Sequence, residues 1–360
     1  MKKTISFLLA LVVAITLFAG CAAPAQQPAV DQPATETEPA AETEPSAEAP
    51  APAEENAPAA LPKVALMSMR EMTQPADEST LEGVKRLKDE LGIDVKTVVC
   101  LEVSEYYDQM QALCEEGYDV IYFVYDNFLE AAKKLSPLYP DIKFIGLWIN
   151  LNGEEAAPNL KPVHFRSEQG SFMCGVVAAL MSESKQVGFI GGGNNAGIKT
   201  FLAGYEAGIK YVDNGTELVV AWANTFDDPL KGKELASSMY QKGVDVIYQA
   251  ANQTGLGVFD AAREAGKYAI GVDVDQSPLA PENIICSSLL DHGYATFDSI
   301  SAVANGNFNN EQVFYGIQEG MPVVAINEAL VSADVMAKVD EIEAKIAAGE
   351  IQIPTTTETE

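Results

Sequence analysis

Asn252, Gln253, Asp273 and Asp275 are the residues of this chain best placed to do chemistry, and that chemistry is hydrogen bonding. They occupy two short polar segments, each directly after an apolar run: Val246-Ile247-Tyr248 leads to the first pair and Ala269-Ile270-Gly271-Val272 to the second. Amide and carboxylate side chains surround a polar solute with donors and acceptors without reacting with it. Covalent chemistry has weaker material. The chain holds 2 histidines, His164 and His292, and neither stands in a metal or nucleophile motif. Cys100, Cys114, Cys174 and Cys286 lie far apart, in or beside apolar runs; that spacing matches no zinc or redox motif and suits buried free thiols. Gly191-Gly192-Gly193-Asn194 lacks both the G-x-G-x-x-G pattern and the P-loop Gly-Lys-Ser/Thr, so it reads as a cleft loop and not as a phosphate cradle. No catalytic residue, metal ligand or cofactor is expected.

The segments that must position these residues repeat. EGYDVIYFVYDN at 116–127 matches KGVDVIYQAANQ at 242–253, and KFIGLW at 143–148 matches YAIGVD at 268–273. From Asp119 to Gly146 is 27 positions and from Asp245 to Gly271 is 26, with a helical stretch between each pair. Each copy therefore reads as strand, helix, strand. Its short strands show little apolar/polar alternation, as in parallel sheets covered by helices on both faces. The fold class is α/β, with two Rossmann-like lobes built on parallel sheets. Ligands of such sheets sit outside the carboxyl ends of the strands, which places Asn252, Gln253, Asp273 and Asp275 on the rim of a cleft between lobes, with Tyr125 and Asp126 on the corresponding loop of the first lobe.

Residues 1–20 carry Lys2 and Lys3, an apolar stretch too short to span a membrane, and Ala19-Gly20 before Cys21. That pattern resembles a bacterial lipobox, with Phe18 where such boxes usually hold Leu, and implies cleavage before a lipidated Cys21. Residues 21–61 are rich in Ala, Pro and Glu, with eight acidic residues and no Lys, Arg or aromatic; such a segment cannot bury enough apolar area to fold and acts as a spacer. The formal charge of -29 makes nucleic acid and anionic membrane surfaces poor partners. The body divides into a first lobe, 62–162 plus about 290–320, and a second, 163–289 plus about 321–354, followed by a tail, 355–360. Helices are expected at 79–90, at 104–115 with Ser104 as cap, and from 256, while 150–162 reads as a connection between lobes.

EQGSFMCGVVAALM, VGFIGGG, FLAGYEAGIKYV, TFDDPLKGKELASSMYQKGVDVIY, TGLGVFDAA and YAIGVDVDQSPLAP, in this order, closely resemble the basic membrane protein family of bacterial lipoproteins. The resemblance implies a type I periplasmic-binding-protein fold and a substrate-binding component of an ABC importer, several of whose members bind purine nucleosides. It implies that Phe226 stacks on a nucleobase, that Asn252-Gln253 replaces a glycine pair on the ribose side, and that Asp273 accepts hydrogen bonds from sugar hydroxyls. Read from the residues alone, Phe226 is either a pocket residue or a core aromatic beside Trp222, and Asp273 either lines the pocket or caps the next turn. Two positions depart from the family: Asp291 stands where a lysine is usual, and Ala76-Asp77 where a stacking Phe and an Asn are usual. Asp77, Tyr125 and Asp126 are the first-lobe candidates to contact the ligand. The resemblance implies a monomer, held at the extracytoplasmic face of the cell membrane only by its lipid, whose partners are a small nucleoside-like solute and a membrane permease. The alternatives are the same role for another polar or sugar-like solute, a ligand-sensing receptor module and, third, an enzyme such as a nucleoside hydrolase.

Overall fold

A computed structural model of the protein describes residues 61–357. The expected signal sequence, Cys21 and the spacer to residue 60 lie outside the described residues, as does the tail beyond 357. The chain runs β1 (Val64–Ser68), α1 (Pro75–Leu91), β2 (Val95–Val99), α2 (Tyr106–Glu115), β3 (Val120–Val124), α3 (Leu129–Leu135), β4 (Lys143–Leu147) and β5 (Leu160–Phe165). It continues α4 (Ser167–Met181), β6 (Gln186–Gly191), α5 (Ala196–Val212), β7 (Glu217–Trp222), α6 (Pro229–Gln241), β8 (Val246–Ala250), α7 (Gln253–Ala265), β9 (Tyr268–Asp273) and β10 (Ile284–Leu289). It ends with α8 (His292–Ala304), β11 (Val313–Tyr315), β12 (Val324–Ile326) and α9 (Ala333–Ala347).

Two six-stranded sheets result, ordered β11-β5-β4-β3-β1-β2 and β12-β10-β9-β8-β6-β7. All neighbours are parallel except β10 and β12. The two orders are the same doubly wound plan, whose strand order reverses at β1/β3 in one sheet and at β6/β8 in the other. Strands β1, β3 and β8 are buried at every residue, whereas the edge strand β2 is not buried at any. The unalternating apolar runs of the sequence are therefore the central strands.

The repeated phrase has a structural job in each sheet. Asp119 accepts the backbone N–H of Lys63 at 2.7 Å, just before β1; Asp245 accepts Ser182 Oγ at 2.6 Å and the N–H groups of Glu183 and Ser184 at 2.8 and 2.7 Å, just before β6. Tyr122 and Tyr248 are fully buried, and their hydroxyls bond to Thr296 and Ser171. Each copy thus ties down the entrance of its own sheet.

Several boundaries differ from the sequence reading. Helix α1 starts at Pro75, four residues early, because Gln74 and Asp77 form a capping box around a proline suited to the first turn. Ser104 caps nothing; it lies in a 3-10 turn, Val103–Glu105, before α2. Helix α7 begins at Gln253, so the segment read as loop is mostly its first turn. The end of 150–162 is not a connection: Pro162 sits in β5, which pairs with β4 and β11, and the chain first leaves this sheet at Arg166. Pro162 precedes the register with β11, which begins at Val163, so it lies on the part of β5 paired on one side only.

Helices α4 and α5 meet at glycines. A Cβ on Gly208 would lie 2.1 Å from the carbonyl oxygen of Phe172, a backbone atom that no side-chain rotation can move. Gly208→Ala is expected to force the helices apart and destabilise the fold by about 1–3 kcal/mol, read as a lower midpoint in urea with an unchanged slope.

Candidate functional site

The loops that follow the strands on either side of each reversal face one cavity of about 760 Å³ between the sheets. From the first sheet come Arg70 after β1, Tyr125 and Asp126 after β3, and Trp148 after β4. Gln74 and Ala76 enter from the start of α1, and His292 from the start of α8. The second sheet contributes Asn195, Phe226, Asn252, Gln253, Asp273 and Gln276.

Arg70 organises the first-sheet wall. Its Nε and Nη2 donate to the two oxygens of Asp77 at 3.0 Å each, Nη2 also donates to Tyr125 Oη at 2.5 Å, and the guanidinium lies 4.8 Å from the Tyr125 ring centre. Burial alone lowers the Arg70 pKa, but Asp77 and Tyr125 outweigh it and the net shift is upward, so Arg70 stays a cation. Burial pushes the Tyr125 phenol up to about 12 against the opposing pull of Arg70, so it remains protonated.

On the second-sheet wall, Phe226 lies over the glycine loop: a Cβ on Gly192 would stand 2.3 Å from its ring. The glycines leave space for an aromatic. Asn252 takes φ +50°, a backbone conformation that glycine adopts freely. Its amide donates to Gln74 Oε1 at 2.9 Å, joining the two walls. The backbone carbonyl of Asp273 accepts Leu290 N–H at 2.9 Å, but its carboxylate accepts no hydrogen bond among the described residues; burial pushes that carboxyl up to about 6, with Arg70 pulling the other way. The next turn is capped instead by Asp275, whose Oδ1 accepts Ser277 N–H at 2.9 Å, so Asp273 is a wall residue and Asp275 is not.

Phe226, Asn252, Gln253, Asp273, Tyr125 and Asp126 therefore meet in one cavity. Asp77 does not reach it: its side chain is 2% exposed and bound to Arg70, so it acts behind the wall. Asp291, like Asp77, is a structural acid; it caps α8 by accepting Tyr294 N–H at 2.8 Å. Ala76 does line the cavity, and no aromatic stands at that position.

Arg70, Trp148 and His292 were not anticipated. Arg70 follows the first strand at a reversal point, which could have marked it. Trp148 had a stronger signal: the repeat aligns it with Asp273, and the two take φ +66° and +69°. His292 had none, because its contacts come from segments distant in sequence. Among the described residues no group of side chains could hold a metal and no helix is long and apolar enough to cross a membrane. All four cysteines of the body are buried and free, with Cys174 and Cys286 sulfurs 3.8 Å apart.

The family model for Bmp, described as ABC transporter substrate-binding protein PnrA-like, matches residues 73–357. The chain belongs to this family. It is a solute-binding protein of an ABC transporter and not an enzyme, and its partners are a solute and a permease. Basic membrane protein A of Borreliella burgdorferi is 32% identical over 305 residues, covering 83% of this chain and 89% of that protein. An ABC transporter solute-binding protein from Aeropyrum pernix K1 superposes with a TM-score of 0.69 at 25% identity, covering 83% of this chain and 95% of the other. A transcriptional activator of comK from Bacillus halodurans superposes with a TM-score of 0.72 at 23% identity, over 81% and 99% of the two chains, and so shares the fold. These neighbours carry the type I binding-protein architecture, which suits a family member with two doubly wound sheets around a cleft.

Proposed function

We propose that this family member captures a nucleoside, most simply a purine nucleoside, and delivers it to its permease. The observation that carries the reading is the second-sheet wall: an aromatic ring, Phe226, and a carboxylate without a hydrogen-bond donor among the described residues, Asp273, share one cavity. A ring face takes a base, and an ionised acceptor takes sugar hydroxyls. The cavity volume of about 760 Å³ lies within the usual range for small-molecule sites. Charge favours an uncharged solute: the sole Arg or Lys in the described wall is Arg70, already paired with Asp77, while Asp126 and Asp273 are acidic. A phosphate would meet repulsion.

The ligand contacts fall to Phe226, Asn252, Gln253, Asp273, Tyr125 and Asp126. The sheets close as two lobes about the crossings at Arg166, at Leu290-Asp291 and near Gly320, with the Gln74–Asn252 hydrogen bond joining the rims. The protein acts as a monomer on the extracytoplasmic face, anchored by lipid on Cys21 after signal cleavage and held off the membrane by 21–61. A second reading, capture of another sugar-like solute, is favoured by Ala76, which leaves the first turn of α1 without an aromatic.

The test is mass spectrometry of small molecules released on denaturing purified protein, followed by adding each candidate to fresh protein. A nucleoside in hundredfold excess over its Kd is expected to add about 2.7 kcal/mol of stability and raise the melting temperature. A different solute that does so, with every nucleoside inert, would select the second reading.

A further inference from the structure

Trp148 stands at the carboxyl end of β4 on the perch that Asp273 occupies in the other sheet, with almost the same positive φ. Both line the cavity. The repeat therefore offers two equivalent positions, one filled by a hydrogen-bond acceptor and the other by the largest aromatic.

The indole N–H does not serve the ligand. Trp148 Nε1 donates to His292 Nε2 at 2.9 Å. An indole nitrogen is a donor only, so His292 Nε2 must carry a lone pair and the ring proton sits on Nδ1. Thr80 completes the assignment: its hydroxyl spends its single proton on Ala76 O at 3.1 Å and so accepts from His292 Nδ1 at 3.3 Å. Every donor in the chain from Trp148 to Ala76 has one acceptor. Protonating Nε2 would set two N–H groups against each other, and burial, with Arg70 adding to it, holds the His292 pKa down at about 3. The indole also packs edge-on against Phe165, with ring centres 5.1 Å apart. With its polar edge engaged and its flank packed, Trp148 offers the cavity only apolar ring surface.

We propose that Trp148, held in place by the Nδ1–H tautomer of His292, is the first-lobe aromatic against which a planar base lies. The proposal rests on the nucleoside reading. Trp148 is the ligand contact, and His292 is a positioning residue acting through it.

The chain has 2 tryptophans, Trp148 and Trp222, so Trp222→Phe leaves Trp148 as the sole indole emitter. Inosine is expected to quench that emission on binding. Trp148→Leu should weaken inosine by about 5- to 150-fold while Trp148→Phe keeps most of the affinity. His292→Phe should weaken it in the same direction, and because His292 acts mainly by holding Trp148, the double variant Trp148→Leu/His292→Phe should lose less than the sum of the two single losses, even though His292 itself borders the cavity. If inosine raises the melting temperature of the Trp222→Phe chain without changing its emission, or if Trp148→Leu binds as tightly as the parent, the proposal is overturned and the nucleoside reading stands. If no nucleoside raises the melting temperature, that reading fails and the proposal fails with it.

Discussion

Replacing Arg70 with methionine is expected to destabilise the protein by about 3–5 kcal/mol at pH 7, because it leaves the Asp77 carboxylate buried without its cation. The pair is bidentate, with both distances 3.0 Å and Asp77 only 2% exposed, and what would remain is a single backbone donor, Gln74 N–H at 3.2 Å. Nothing comparable follows from Lys85 and Asp89, whose side chains are 76% and 56% exposed; pairs of that kind contribute about 0–1 kcal/mol. Asp77→Asn alone should cost less than Arg70→Met, since Arg70 faces the cleft and water can reach its guanidinium. The double variant should recover most of the loss. Urea denaturation of the four proteins measures the coupling directly. Strictly additive costs would show that the fork does not hold the wall.

Asp273→Asn is expected to act in opposite directions on stability and on binding. The folded carboxyl titrates at about 6 against an ordinary 3.8, so between those values the folded state binds more protons than the unfolded one. Stability therefore falls as pH rises from about 4 to about 6, and above 6 the ionised carboxylate is a constant burden. That burden is at most about 3 kcal/mol, and water in the cleft reduces it. Asn removes it, so the ligand-free variant should be more stable than the parent at pH 7 by about 1–3 kcal/mol, with the difference gone below about pH 4. Binding should move the other way. Two hydroxyls donating to one carboxylate contribute about 1.5–3 kcal/mol each, and an amide accepts with one atom only, so affinity should drop about 100-fold or more. In the parent, affinity should also decline below about pH 6 as the carboxylate protonates. Thermal melts from pH 4 to 7.5 and calorimetric titration check both halves. A variant less stable than the parent at pH 7 would mean that the carboxylate is well solvated in the empty cleft.

The comparison between these two residues shows what could be read early. Asp273 was legible because it ends a strand in a repeated phrase, and strand ends of such sheets face ligands. Arg70 and Asp77 were adjacent to a recognised departure, yet their roles were inverted: Asp77 looked like the contact and Arg70 was passed over. Sequence proximity shows that both lie near the cleft, but which one points inward depends on rotamers and on Tyr125, 55 residues away. The same limit applies to β10, β11 and β12. The first carries Ser287 and Ser288 inside the sheet, and the other two have three residues each, too few to show a period.

The sequence by itself determined the α/β class, the two-lobed plan, the family and the cleft loops, because these follow from short-range pattern: unbroken apolar runs, helical stretches at matched spacing and a phrase used twice. Only the tertiary structure decided which side chains meet there. Trp148 and His292 are 144 residues apart, and Gln74 and Asn252 are 178 apart. Contacts of that kind arise when separate segments pack, and no local periodicity encodes them.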